Sequence, residues 1–302
     1  MDKEAKGTIL AFAAALISGV AIPVNKFFVV DMNPAVFTAT RALIIGLIFL
    51  AISWRSKKLT KHILKGQKWF YLVLIGLIGG GLAFLLYFQG LQITTSSRGA
   101  FLHKTLPIYT TILAFMFLKE KIPQKQLVAL GMMFLGIVAI YFDKITPTNL
   151  WSNPSLGDVL VILATVLWAI ENIIAKKSMI NGESNFVVSA ARMLIGSLFL
   201  FGVLVLVGNL NAIFSLSLVQ IVNLFISTGI LFGYVFCWYS SIKLINVSKA
   251  AAILLLSPVI SMILGIIMFN EPTPIFQLIG SGLVLVGAYL VSKVKSEFAE
   301  GV

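Results

Sequence analysis

SRGAFLHKTLPIYTTILAFMFLKEKIPQKQLVALGMMFLGIVAIY, residues 97–141, returns 151 positions later as SKAAAILLLSPVISMILGIIMFNEPTPIFQLIGSGLVLVGAYLV, residues 248–291. Pro107 falls on Pro258, Glu120 on Glu271, Pro123 on Pro274, Gln126 on Gln277, Gly131 on Gly282 and Gly136 on Gly287. At the same offset Arg41 falls on Arg192, and after a one-residue slip Gly7 falls on Gly157. The chain therefore reads as a tandem duplication, with its two copies at 1–146 and 147–302.

Composition places both copies in a lipid bilayer. The chain is 59% hydrophobic and 11% charged, against about 25% charged in an ordinary soluble domain, and its mean hydropathy is +1.01. A single cysteine, Cys237, excludes a disulfide framework, and two histidines with that cysteine cannot furnish a structural zinc site, so neither a metal nor another cofactor is expected. The apolar run that begins after Lys6 continues to Val30, too long for the apolar core of a signal peptide, and reads as an uncleaved first span. Nine further runs follow, at 35–54, 69–91, 97–118, 124–142, 157–178, 185–207, 218–242, 247–269 and 274–292. Each is near the ~20 residues that cross a hydrocarbon core as helix, so the fold expected is an all-α polytopic membrane protein of ten spans.

A net charge of +12 would suggest nucleic acid as the partner of a soluble protein. Here the charges follow the loops instead. Lysine and arginine cluster at 3–6, 55–68, 119–125, 176–177, 243–249 and 293–295, all on one side of the ten spans, while the other side holds Arg98 and Lys144. By the positive-inside rule both termini are cytoplasmic, in a multi-pass protein of the cytoplasmic membrane. Five spans per copy then oblige the second copy to enter in the opposite direction, which makes the repeats inverted. An inverted pair of helical repeats is the architecture of secondary transporters, which rock around a central site. The longest connections, 55–68 and 143–156, are too short to hold a soluble domain, so function must lie within the spans. Asn246-Val-Ser matches a glycosylation acceptor but falls at an expected cytoplasmic turn, and is discounted.

The repeated stretch resembles the ten-helix drug/metabolite transporter superfamily, EamA type. Small residues open the fourth and ninth spans, a proline breaks each, an acid follows each end, and a glycine-spaced span closes each copy. One departure stands out: Lys119 and Asn270 occupy the place before the acid where the family usually has glycine. The resemblance implies that spans 1, 3, 4, 6, 8 and 9 surround a central cavity, with spans 5 and 10 at the periphery. It implies no particular substrate, because similar members move amino acids, aromatic compounds, sugar phosphates or nucleotide sugars.

Charged side chains near a bilayer centre cost about 2.5–3.5 kcal/mol or more, so those retained there need a partner or a task. Lys26, Arg41, His103, Lys104, Glu171 and Arg192 fall inside the spans. Lys26, Arg41 and Lys104 lie at comparable depth in the outer half, with Asp31 the nearest acid. Unmatched bases favour an anionic ligand. Lys104 shares an expected helix face with Pro107 and Thr111 and is the leading substrate contact, while Lys26 can instead snorkel to headgroups and Arg41 can bond carbonyls or Asp31. Pro107 and Pro258 each remove a mid-helix donor, so they mark a kink, a hinge or a cavity wall.

In span 6, Trp168, Glu171 and Asn172 share one face, where the first copy has Ser18, Ala21 and Ile22. Glu171 and Arg192 fall at similar depth on adjacent spans, either as a structural ion pair or as a proton site or gate. Tyr87, Tyr234 and Trp238 are packing aromatics or walls of a pocket for an organic solute. Gly76, Gly80, Gly131, Gly136, Gly282 and Gly287 are expected to bring helices close rather than to touch a ligand.

The function expected is alternating-access transport of a small organic metabolite bearing a carboxylate or phosphate. Lys104 would hold it, with His103, Lys26 or Arg41, and with the aromatics around its body. The rival is a cation, drug or amino-acid exporter with Glu171 as the binding or proton-coupling acid. Proton or exchange coupling is open, as is a monomeric or homodimeric state, and no nucleic acid is expected as a partner. An intramembrane hydrolase would need a Ser/His or paired-Asp site, and a channel a ring of repeated polar groups; neither pattern is in the spans.

Overall fold

A computed structural model describes residues 2–28, 32–59, 69–142, 154–269 and 273–296. The expected boundary at 146/147, Asp31, Lys61, Lys65, Lys68, Lys144, Asn270 and Glu271 lie outside the described residues, as does the side chain of Lys26.

Ten helices are long and apolar enough to cross a membrane. They are α1 (Lys3–Phe28), α2 (Pro34–Arg55), α3 (Trp69–Ile93), α4 (Ser96–His103 continued by Leu106–Leu118), α5 (Gln124–Tyr141), α6 (Leu156–Ile180), α7 (Asn185–Leu206), α8 (Leu218–Leu244), α9 (Val247–Ile253, Leu254–Leu256 and Ser257–Phe269) and α10 (Ile275–Ser292). Helix is what a spanning segment must form, since a lipid-facing backbone satisfies its N–H and C=O groups only within itself. The caps are local: Asn33 accepts from the Ala35 and Val36 amides, and Ser155 with Asp158, like Ser217 with Gln220, makes a reciprocal capping box.

α2 lies along α7 and α5 along α10, while α1 packs on α8 and α9 as α6 packs on α3 and α4. Both termini reach one end of the bundle, where Glu4 accepts from the amide and hydroxyl of Ser296. Large apolar side chains such as Phe115, Phe117, Leu135 and Leu285 face outward, as a lipid-solvated surface requires.

Glycine sets the closest seams. At Gly136 a Cβ would stand 2.6 Å from the Gly280 carbonyl oxygen, where α5 crosses α10, and at Gly76 it would stand 2.5 Å from Ile195 Cβ of α7. Gly80 meets Gly196 backbone to backbone, and Gly287 meets Met133. Gly131 and Gly282 break that expectation, because nothing lies within 4 Å of a Cβ at either, so they bring no helices together. α3 is not regular: Ile75–Leu82 is a π-helical stretch, in which the Ala83 amide bonds back to the Ile78 carbonyl. Lys119 adopts a left-handed conformation, φ 53°, to close α4, so the turn keeps the backbone that a glycine would favour.

Two bases counted above as loop charges are buried. Lys176 donates to the Ile242 and Ile245 carbonyls that end α8, and Lys249 to Glu4 and the Val294 carbonyl. Asn246 is buried too, so the acceptor motif is not displayed at the surface.

Lys119→Gly is expected to raise stability by about 1 kcal/mol by removing the left-handed Cβ penalty. Gly136→Ala should lower it by about 1–3 kcal/mol through overpacking, whereas Gly131→Ala should leave it unchanged or raise it by up to about 1 kcal/mol. Thermal unfolding of the three purified variants in one detergent checks both signs.

Candidate functional site

Where backbone irregularity appears, it faces the interior. In α4 the amides of Lys104 and Thr105 bond three residues back, to Phe101 and Leu102, and Pro107 then opens the second half of the helix. In α9 a 3₁₀ turn, Leu254–Leu256, stands just before Pro258. Residues flanking both breaks line one cavity of about 770 Å³, which runs from the middle of the bundle toward the end remote from the termini.

Arg41, Tyr87, His103, Lys104, Pro107, Trp168, Glu171, Asn172, Arg192, Tyr234, Trp238 and Pro258 all stand on its wall. Thr111 does not. α4 breaks between Lys104 and Thr105, so the helical face expected to join Lys104 with Thr111 is interrupted; Thr111 is buried, its hydroxyl without a partner. Lys104 reaches the cavity through the break itself.

The Lys104 ammonium donates to the Ser257 hydroxyl at 2.8 Å, linking the break of α4 to that of α9. Arg41 of α2 donates through Nη1 to the Ser227 hydroxyl of α8 at 2.7 Å, and its guanidinium lies 3.9 Å from the Phe37 ring centre. Among the described residues neither base meets a carboxylate.

Glu171 is matched. Its Oε1 accepts from the Tyr239 hydroxyl at 2.5 Å, and Oε2 stands 3.7 Å from Arg192 Nε, an ion pair without a hydrogen bond through that nitrogen. Gly79, in the π-helical stretch of α3, lies under the Glu171 side chain, and its carbonyl accepts from Trp168 Nε1 at 2.9 Å. Asn172 accepts from Trp238 Nε1 at 3.0 Å. The polar face of α6 is thus tied to α3, α7 and α8.

Aromatic rings cover the rest. Trp168 has Tyr87 and Phe84 with ring centres at 5.2 Å and His103 at 4.9 Å, and Tyr234 lies parallel to Trp238. Sequence reasoning did not single out Ser257, Ser227, Phe84, Tyr141 or Gln277, although all line the cavity. Gln277, echoing Gln126 at the repeat offset, was the one with a sequence signal.

Ten apolar helices around one polar, aromatic-walled cavity describe a multi-pass membrane transporter. The chain belongs to the EamA-like transporter family, which matches residues 5–142 and again 155–293, and with it to the drug/metabolite transporter superfamily. It is similar over 298 residues, at 26% identity, to "Uncharacterized transporter YyaM" of Bacillus subtilis (strain 168), covering 95% of this chain and 93% of that one. An "Uncharacterized transporter" of Archaeoglobus fulgidus is 28% identical over 285 residues, covering 90% of this chain and 94% of that one. A solved crystal structure shares the fold with a TM-score of 0.76 at 15% identity, over 94% of this chain and 95% of that one. The family is one of transporters, not enzymes.

Asn172→Leu leaves the Trp238 indole N–H buried without an acceptor. A loss of about 1–3 kcal/mol is expected, read as a lower unfolding temperature together with altered Trp238 emission.

Proposed function

We propose that the chain carries a small organic anion, with a carboxylate or phosphate, across the cytoplasmic membrane by alternating access between two inverted five-helix repeats. The observation that carries this reading is the pair of cavity bases, Lys104 and Arg41, each bonded to a serine hydroxyl and without a carboxylate among the described residues. A cation desolvated in such a place gains most from an anion. The aromatic wall suits an organic body beside the charged group. The rival substrate, an organic cation held by Glu171, is disfavoured because it would have to displace Arg192 and the Tyr239 hydroxyl from that carboxylate.

Alternating access is supported by a difference between the ends of the bundle. At the end holding the termini, Glu120 accepts from the Val247 amide at 2.7 Å, the Ser248 amide at 3.2 Å and the Ser248 hydroxyl at 2.6 Å, while Gln126 donates to Ser248. Glu120 thereby caps α9 from across the bundle, where Asn246 makes no side-chain cap. Burial pushes the Glu120 carboxyl above its usual range, against the pull of those donors and of Lys176. At the other end the equivalent start of α4 is capped by its own Thr95, and Ser97 and Gln277, the counterparts of Ser248 and Gln126, line the cavity. Among the described residues the Glu120 latch has no counterpart at that other end, where Arg98 and Thr94 meet Asp158 instead, and Glu271, which echoes Glu120, lies outside them. The pairing of α1 with α8 and α9, repeated as α6 with α3 and α4, supports the pseudo-two-fold. With both termini cytoplasmic, as the loop charges suggest, the latched end is the cytoplasmic one.

A thermal-shift screen of anionic, zwitterionic and cationic metabolites identifies the substrate class, since a ligand of the folded state raises its stability. In proteoliposomes, Lys104→Met should then lower uptake of the stabilising anion about tenfold or more, the worth of one charge-assisted hydrogen bond. Lys26→Met should lower it less. Undiminished uptake in a monodisperse Lys104→Met protein, or stabilisation by cations alone, would leave the cation exporter ahead.

Glu120→Gln should loosen the latch. In a Cys237→Ser background, a cysteine introduced at Ala250, fully buried at the latched end, should react several-fold faster with a water-soluble maleimide once Glu120 is replaced. An unchanged rate would remove the latch.

A further inference from the structure

Among the described carboxylates, Glu171 is the one that lies within a span, more than two turns from either end of its helix, and on the cavity wall. Its environment is incompletely satisfied. Arg192 Nε faces Oε2 at 3.7 Å, beyond a hydrogen bond, and that N–H has no other acceptor. A buried ion pair is firmly held only when each partner's remaining hydrogen-bonding groups are also satisfied. Here an orphaned guanidinium N–H stands beside a carboxylate oxygen in contact with a cavity roomy enough for water. The remaining partners are specific: Tyr239 and Tyr234 from α8, Arg192 from α7, and Gly79 and Phe84 from α3, with His103 and Lys104 of α4 and Arg41 of α2 on other parts of the wall. The first copy has Ala21 at the equivalent position, so the pair is not part of the duplicated scaffold.

We infer that Glu171 is a proton-binding site of the cavity, exchanging its proton with cavity water, and that its protonation state decides whether the charge of Arg192 is matched inside the protein. Protonation at Oε2 takes a proton from the cavity and leaves the Tyr239 hydrogen bond at Oε1 in place. Arg192 then joins Lys104 and Arg41 as a third cavity base without a counter-charge. Resting on the anion reading above, anion and proton bind together, each raising the affinity for the other by the same factor.

The test needs no ligand, so its failure is distinguishable from failure of the anion reading. Trp168 shares the helix face of Glu171 and Trp238 precedes Tyr239, so the emission of both reports on this site. In purified full-length protein with Trp54, Trp69 and Trp151 replaced by Phe, emission is titrated from pH about 5 to about 9. A single transition is expected, retained in Lys104→Met and abolished in Glu171→Gln, whose emission at every pH should match the acid limb of the parent. His103, with its ring centre 4.9 Å from that of Trp168, is the competing titrating group. A transition that survives Glu171→Gln and vanishes in His103→Gln would overturn the proposal, as would no transition at all. If Glu171→Gln does not elute as one species, Tyr239→Phe keeps the carboxylate and removes its hydroxyl donor. It should displace the midpoint by about one pH unit, and an unmoved midpoint would sink the assignment.

Discussion

No water is available in hydrocarbon to bond a stray peptide group, and most of this architecture follows from that. Seven of the ten spans are regular α-helix; α3 carries its π-helical stretch, and α4 and α9 depart from the α-helix where their backbones face the cavity. A proline could have been placed on the lipid side only at the cost of an unpaired carbonyl. Facing inward, the same defect becomes useful: it turns Lys104 toward Ser257 and lets two half-helices from opposite parts of the chain meet across the cavity. α3 solves the related problem of close approach differently. Its glycines, within a π-helical stretch, let the backbone pass against Glu171 on α6 and against Arg192 and Gly196 on α7, which sets how near those two helices stand.

The ends of the bundle use the second currency available to a membrane protein, the free N–H and C=O groups at helix termini. Lys176 takes the last carbonyls of α8, and Glu120 takes the first amides of α9. Arg98 pairs with Asp158 at the remote end, as Lys249, its counterpart at the repeat offset, pairs with Glu4 at the end of the termini. These contacts carry charge-assisted strength and lie at helix ends, where a released group would be nearer to water than one in mid-span.

What the sequence disclosed follows from cost. Arg41, Lys104, Glu171 and Arg192 were legible because an ionisable residue deep in a span is expensive and rare, and the structure puts all four on one wall. Tyr87, Trp168, Tyr234 and Trp238 were legible more weakly, through helical spacing and the repeat. Ser257 and Ser227 were not, because a serine costs little in a helix and can bond its own backbone, so its presence signals nothing until a lysine or arginine is seen to reach it. The break of α4 was legible from Pro107, but its place at Lys104 and Thr105 was not, because a proline disturbs the turn before it and the shared face drawn from Lys104 to Thr111 assumed an unbroken helix. Gly131 and Gly282 show the converse error: glycine spacing alone does not say which side of a helix meets a neighbour.

The repeat in the sequence extends to the frame-setting residues but not to the polar site. The seam of Gly136 on Gly280 recurs as Gly287 on Ala129, and the breaks at Pro107 and Pro258 and the end-of-helix charges are likewise paired between the halves. Trp168, Glu171 and Asn172 do not recur, since the first half carries Ser18, Ala21 and Ile22 there. Ser18 and Ala21 nonetheless line the same cavity. The small residues of α1 leave open space opposite the polar face of α6, so one wall supplies chemistry and the other supplies room. A strictly symmetric pair of polar faces would have filled the cavity with its own hydrogen bonds. The divergence of one helix from its copy gives Arg192 an acid in Glu171 and leaves Arg41, its counterpart, with Ala21 in that place and a bond to Ser227 instead.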